Sequence, residues 1–592
     1  MKRPIVIIIC IFLCVLFFGA CGTAEPAGLS NIPAESTAGS AVLPDGEFFS
    51  DRDLSGAYDP EQCAVIELNG DTAVCTSNAV TISGSTVTIC DEGSYLIRGE
   101  LRDGMVIVDA GEDDKPQLIL QNVDIHSTSS APIYVRQADK VFITVEQNTE
   151  NSLSCGEGYS AIDENNIDGV IFSKADLCLN GTGSLTLASP AGHGIVTKDE
   201  LTLAGGIGLD ISCAGQGLSA NDNICIENAK LSINAGKDGM KAENDENSTL
   251  GYIYILNGSY DITCAGDGIS AGAALSIAGG SYHILAGGGS ENGEKKTSDN
   301  WGHMGGGPGG PGGPGGRGGF NDSQENSSDT EDSTSIKGIK SAGTLTVSGG
   351  SFIIDSADDA VHSNGDLILK GGEFTIETGE DGFHADNSLT VADGRILIHE
   401  SYEGLEGLSI QIFGGEILLT ATDDGLNAAG GADQSGYGGM RGGDRFAGGS
   451  ADSNIRICGG IVDIHASGDG IDSNGTLEIS GGSTIVCCPT TGDTAVLDYE
   501  ISGSITGGTF IGTGAYQMAQ SISSSEQGVI AVSVGNQAAQ TEISLTDAEG
   551  NTVLTHVPNQ DFAIVVLSSP EIIKSETYTI TVGAASGSFT AG

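Results

Sequence analysis

Aromatic and basic residues are scarce in this 592-residue chain. Phe, Trp and Tyr make up 5% of it, with a single Trp, and 24 Lys plus Arg face 79 Asp plus Glu. Few aromatics argue against a large conventional mixed core. A thin core filled by Ile, Leu, Val and Ala fits better. The formal net charge of −55 argues against nucleic acid and anionic membrane surfaces as partners, because like charges repel, and it favours cations. Proline is also sparse, at 14 residues, and no CxxC pair occurs. The 14 cysteines follow no regular framework, so a disulfide scaffold is not expected. Cys178, Cys213, Cys225 and Cys264 sit in strand-like runs and read as small buried hydrophobes.

What is abundant is glycine, at 92 residues, which suits a fold with many tight turns. The first 20 residues, MKRPIVIIICIFLCVLFFGA, have a basic start and an apolar run too short for a convincing bilayer span, the order of a secretory signal. Phe18-Gly19-Ala20-Cys21 is similar to the bacterial lipobox, which implies cleavage before Cys21 and a diacylglycerol on its thiol. Residues 21–54 are then expected to form a flexible tether, small and polar with several prolines.

Internal repetition decides the fold class. Segments such as GDGISAGAALSIAGGSYHILA, IKGIKSAGTLTVSGGSFIIDS, DDAVHSNGDLILKGGEFTIET and GDGIDSNGTLEISGGSTIVCC share one plan. Each has a corner with a small residue, a short alternating strand, a Gly-rich turn and a second alternating strand. The corner residue falls at Gly194, Gly217, Gly239, Gly268, Gly338, Ala360, Gly382, Gly404, Gly425 and Gly470, with uninterrupted steps of 21 to 23 residues. That period matches one coil of a β-solenoid, and an antiparallel meander would not hold the corner in phase. The fold is therefore expected to be all-β: a right-handed parallel β-helix with a C-terminal antiparallel β-cap. Residues 55–190 read as irregular first coils with a cap, 191–492 as regular coils, and 493–592 as the C-terminal cap.

The two longest steps carry a surplus that reads as Gly-rich insertions at 287–335 and 430–452, expected to be mobile loops. Trp301 lies in the first of them. It is a candidate for stacking on a sugar ring, or equally a hydrophobic anchor for the loop.

Residues in phase stack one coil apart, about 4.8 Å. The position before the corner carries Asp238, Asp267, Asp359, Asp381, Glu403, Asp424 and Asp469. Two positions after it come Lys241, Lys340, His362, His384, Glu406, Asn427 and Asp472. Carboxylates at that spacing repel by roughly 0.9 kcal/mol in water and about 3.5 at an effective dielectric of 20. Asp-Gly is also ordinary turn chemistry, and a solvated acidic corner would give the same letters. The density of acids exceeds what turns need. Two oxygens on opposite sides of Ca²⁺ lie about 4.6–5.2 Å apart, close to the coil spacing. Asp358, Asp359, Asp381, Asp386, Glu403, Glu406, Asp423, Asp424, Asn427, Asp469 and Asp472 are thus expected to form a Ca²⁺ ladder. His362, His384 and His399 suggest a transition metal, but no HxH pattern supports one and oxygen dominates nearby.

The chain resembles the carbohydrate-binding domain-containing proteins, calcium-binding relatives of pectate-lyase-like β-helices. The resemblance rests on AIDENNIDGVIFSKADLCLNGTGSLTL, GHGIVTKDELTLAGG, GKDGMKAEN, EDGFHADNSLTV, YEGLEGLSIQIFGGEILLTATDDGLNAA and the ending FAIVVLSSPEIIKSETYTI. It implies binding of cellulose-like or acidic, pectin-type polysaccharide, with Ca²⁺ at acidic turns. Ala360 departs from the pattern at a corner. A lyase would need a Lys or Arg base beside the metal, and Lys237, Lys241, Lys337 and Lys340 are in range, though pairing with corner acids is their simpler role. Hydrolase chemistry would need a protected carboxylate pair, and open corners are poor places for one. No catalytic residue is assigned. A non-catalytic adhesive surface protein without a glycan ligand is the remaining alternative.

Overall fold

The computed structural model describes residues 41–44, 46–293, 336–428, 452–490 and 494–592. The leader, Cys21, Trp301 and nearly all of both Gly-rich insertions lie outside the described residues. No helix among those described is long and apolar enough to cross a membrane.

The chain winds as a parallel β-helix with three faces. In the first, Leu218 pairs with Met240, which pairs with Ile269, then Ile339, Val361, Phe383, Leu405, Leu426, Ile471 and Leu497. The steps Ile269 to Ile339 and Leu426 to Ile471 cross the two insertions without losing phase. The second face runs through Ile253, Leu275, Leu345 and Leu367, and the third through Tyr260, Tyr282, Phe352 and Phe374. Alternation in each strand sends every second side chain inward. Along Ser351–Ser356, for example, Phe352 and Ile354 are buried and Ile353 is exposed.

Stacking replaces ordinary core packing. The rings of Tyr260, Tyr282, Phe352 and Phe374 lie nearly parallel at 4.6, 4.6 and 4.5 Å, a column imposed by the coil pitch. Cys178, Cys213, Cys225 and Cys264 are buried and free, as their strand contexts suggest.

Glycine serves two purposes. At the Gly-Gly turn before the third face, Gly350 and Gly372 have φ of 115° and 112°, which side chains strain to adopt. At the corner the need is space: a Cβ on Gly404 would lie 2.4 Å from the carbonyl oxygen of Gly425.

Two expected boundaries move. Residues 41–54, placed in the tether by composition, are packed in part against the outside of the second face. Phe48 stacks on Tyr254 at 4.3 Å, the Thr344 N–H donates to the Ala41 carbonyl, and buried Asp53 pairs with Lys140 at 2.9 Å. Apolar Leu43, Phe48 and Phe49 find a sheet to cover, which composition alone does not reveal. The parallel coils also run past residue 493: Leu477 pairs with Gly503 and Val486 with Gly512 in parallel. The antiparallel cap begins with Val529–Gln537, paired to Phe562–Ser568, and ends in a four-stranded antiparallel sheet. At the other end, the hairpin of Val80–Ser83 with Thr86–Ile89 belongs to the irregular first coils.

Candidate metal centre

The corner before the first face repeats a local problem. Each coil presents a backbone N–H there, and a short acid one coil earlier accepts it. Oδ1 of Asp238 accepts from the N–H of Asp267 at 2.9 Å, Asp267 from Lys337 at 2.8 Å, Asp359 from Asp381 at 3.0 Å, Asp381 from Glu403 at 3.1 Å and Asp424 from Asp469 at 2.6 Å. Asp469 accepts likewise from Ala495. Aspartate has the reach for this bond and leaves Oδ2 for other partners. Glu403, one carbon longer, instead accepts from the Asn427 amide at 2.8 Å. This backbone role was not visible in the repeat, which showed only that acids recur. Lys337 also occupies the position before Gly338, interrupting the acidic file.

The second file is in register as the spacing required. Lys340 pairs with His362, His362 with His384, His384 with Glu406, Glu406 with Asn427 and Asn427 with Asp472. It continues to Asp498, which the sequence reading missed because the period fades there. The two files thus share one edge of the helix.

The edge has two sections of different chemistry. In the N-terminal section cationic groups sit among the acids. Lys337 Nζ lies 2.6 Å from Asp359 Oδ2 and 3.1 Å from Asp358 Oδ1. His362 Nδ1 is 2.8 Å from Asp359 Oδ2. His384 Nδ1 is 2.7 Å from Glu406 Oε2 and 3.4 Å from Asp381 Oδ2, and its Nε2 is 3.3 Å from Asp386 Oδ1. The two imidazoles stack at 4.7 Å. Asp359, Asp381, His362 and His384 are at most 2% exposed. Burial opposes ionisation of Asp359, but Lys337 and His362 hold it well below the usual carboxylate range. Burial likewise opposes charge on His384, and the surrounding carboxylates raise it well above an ordinary histidine.

The C-terminal section is dominated by oxygen. Among the described residues no Lys, Arg or His pairs with Glu403, Asp424 or Asp469. Burial, then Glu406, Asp381 and Asp424, push Glu403 well above the usual carboxylate range. Burial and the charges of Asp469, Asp423 and Asp472 do the same to Asp424, and Asp469 is raised to about 7, chiefly by burial. Tyr402 Oη donates to Asp423. Asn427 is 7% exposed and its Oδ1 has no hydrogen-bond partner.

The corners are therefore not open, solvated turns. Asp267, Lys337, Asp359, Asp381, Glu403, His362, His384 and Asn427 are all buried, which reverses the expectation that this place cannot shift a carboxylate. Of the other candidates, His399 is exposed near the end of the third-face strand Arg395–Glu400, outside both files. Lys241 pairs with Glu243 at 2.6 Å and Lys237 is exposed.

Residues 83–382 match the family described as carbohydrate-binding domain-containing protein. The chain belongs to that family. A carbohydrate-binding domain-containing protein of Acetivibrio thermocellus is 30% identical over 250 residues, which cover 42% of this chain and 84% of the relative. A solved structure of a polysaccharide lyase-like protein from C. thermocellum, a gadolinium derivative, is 31% identical, with a TM-score of 0.37 over 38% of this chain and 92% of that one. The stretch matched by the carbohydrate-binding domain family ends at residue 382. Glu403, Glu406, Asp423, Asp424, Asn427, Asp469 and Asp472 lie beyond it.

An oxygen-seeking divalent cation fits the C-terminal section. Glu403, Asp423, Asp424, Asp469, Asp472 and the spare Asn427 oxygen offer only oxygen donors, and a cation among them would relieve the burial and mutual repulsion that raise Glu403, Asp424 and Asp469. Asp358 and Asp359 fit such an ion less well, because Lys337 already neutralises them.

Proposed function

We propose that this chain is a surface-held, calcium-dependent carbohydrate-binding protein that recognises plant-type or acidic polysaccharide of the cellulose or polygalacturonate class. The exported, lipid-anchored location rests on the leader and Cys21. Ca²⁺ would be held by Glu403, Asp423, Asp424, Asn427, Asp469 and Asp472. The observation that carries this reading is the Asn427 oxygen, sealed and without a hydrogen-bond partner beside Glu403. Asp423, Asp424, Asp469 and Asp472 are only partly buried, so an ion held there can also meet a uronate carboxylate. Such a bridge lets an acidic protein hold an acidic polymer that it would otherwise repel.

A lyase reading is weaker. Lys337, the lysine nearest the acids, is engaged by two aspartates and 4% exposed, not presented to a substrate.

The test is retention on polygalacturonate and on cellulose, with Ca²⁺ and with excess EDTA. Retention with Ca²⁺, loss in EDTA and recovery on adding Ca²⁺ are expected. Retention indifferent to EDTA would remove the calcium dependence. Release of unsaturated, ultraviolet-absorbing product from polygalacturonate would restore the lyase reading.

A further inference from the structure

His362 and His384 sit on adjacent coils of this edge, and nothing in the proposed calcium site uses them. Three ligand atoms from different residues converge at His384: its own Nδ1, Asp381 Oδ2 and Glu406 Oε2, all within 4.8 Å of one another. We propose that Asp381, His384 and Glu406 form a second metal site, for a borderline divalent cation of the zinc class, distinct from the oxygen-only rungs.

The surroundings prepare each ligand. Asp386 faces His384 Nε2 at 3.3 Å and itself accepts from Asn364 Nδ2 at 3.2 Å. A carboxylate on the far nitrogen fixes the ring and leaves Nδ1 as the donor toward the metal. Asp381 is fixed from the other side, because its Oδ1 accepts the Glu403 N–H, which turns Oδ2 toward His384. Glu406 is set beside His384 by strand register.

The spacing suits a small ion. Bonds of about 2.0–2.1 Å in a tetrahedral site place donors about 3.3 Å apart. Asp381 Oδ2 and His384 Nδ1 are already 3.4 Å apart, and Glu406 Oε2, at 2.7 Å, need withdraw only by a fraction of an ångström. Charge points the same way. Asp381, Asp386 and Glu406 place three carboxyl groups around one imidazole, more acid than a single imidazolium can balance. A divalent ion bound to neutral His384 offsets more of that charge than the imidazole proton it displaces.

A nitrogen donor separates this site from the calcium rungs, since Ca²⁺ takes oxygen and zinc-class ions take imidazole readily. A related group, Asp359 with His362 and His384, has the same elements. There the Lys337 ammonium, 2.6 Å from Asp359 Oδ2, already supplies the positive charge. We therefore assign the ion to the Asp381 rung and leave His362 as the stacked neighbour of His384.

The experiment titrates the full chain with Co²⁺ in saturating Ca²⁺, so that oxygen-only sites are filled and a failed calcium reading does not alter the result. One equivalent of Co²⁺ with visible ligand-field absorption is expected, displaced by Zn²⁺. His384→Gln should lower that affinity at least about tenfold, whereas His399→Gln should leave it unchanged. Because His384→Gln can also disturb folding, Cu²⁺ electron paramagnetic resonance on the unaltered chain gives a second reading: nitrogen superhyperfine structure is expected. Absence of a Co²⁺ band in Ca²⁺, an unaltered band in a folded His384→Gln variant, or an all-oxygen Cu²⁺ spectrum would each overturn the proposal.

Discussion

The backbone N–H of Asp381 donates to Oδ1 of Asp359, 22 residues earlier, at 3.0 Å. The same bond joins Asp381 to Glu403 and Asp424 to Asp469. It gives the acidic file a structural reason to exist before any ligand is considered: an otherwise buried N–H at each corner needs an acceptor. It also means that stacked carboxylates are not merely tolerated. One oxygen of each of these aspartates works for the fold, and the other is left for partners at the edge.

Asp424→Ala should weaken calcium binding by about tenfold or more, ~1.4 kcal/mol. Asp210→Ala should leave it unchanged, because Asp210 is exposed on the third face, away from the edge. Isothermal titration of both variants checks this, and equal effects would sink the ladder.

A different acidic group sets a pH dependence free of metal. Burial and the neighbouring Asp176 and Asp222 raise Asp199 to about 7. A carboxyl whose folded pKa lies above its unfolded value, about 3.9, contributes stability that is complete below the lower figure and lost as pH rises through the upper one. Thermal melting of the protein in EDTA should therefore show this contribution falling between about pH 4 and pH 7. Asp199→Asn should make that fall shallower and melt higher than the parent at pH 8. A parallel profile in the variant would disprove the assignment.

The corner at Gly404 should reject even one methyl group, although the Ala360 corner carries one. Gly404→Ala places a Cβ 2.4 Å from the Gly425 oxygen and 2.8 Å from Leu419 Cδ2, and should cost about 1–3 kcal/mol. Gly158→Ala, with nothing within 4 Å, should be nearly silent. Differential scanning calorimetry of both separates steric crowding from a general intolerance of substitution.

Phe352→Ala removes the middle of the ring column and should destabilise by about 3–5 kcal/mol. Equilibrium urea unfolding measures it. A loss below about 1 kcal/mol would show that the column follows from coil pitch without supporting it.

The sequence by itself determined the winding. A 22-residue phase, held from Gly194 to Gly470, forces residues one period apart to become neighbours, because each coil can bury its apolar face only against the next. From that follow the parallel pairing, the inward Ile, Leu and Phe, and the two files that meet at one edge. The tertiary structure alone decided what the files are made of chemically. Letters one coil apart do not say that Asp359 and Asp381 use one oxygen for backbone, that Lys337 neutralises the N-terminal rungs, or that His384 stands sealed among three carboxylates. Those are matters of burial and side-chain direction, set by everything packed around the edge, and a repeat carries only the spacing.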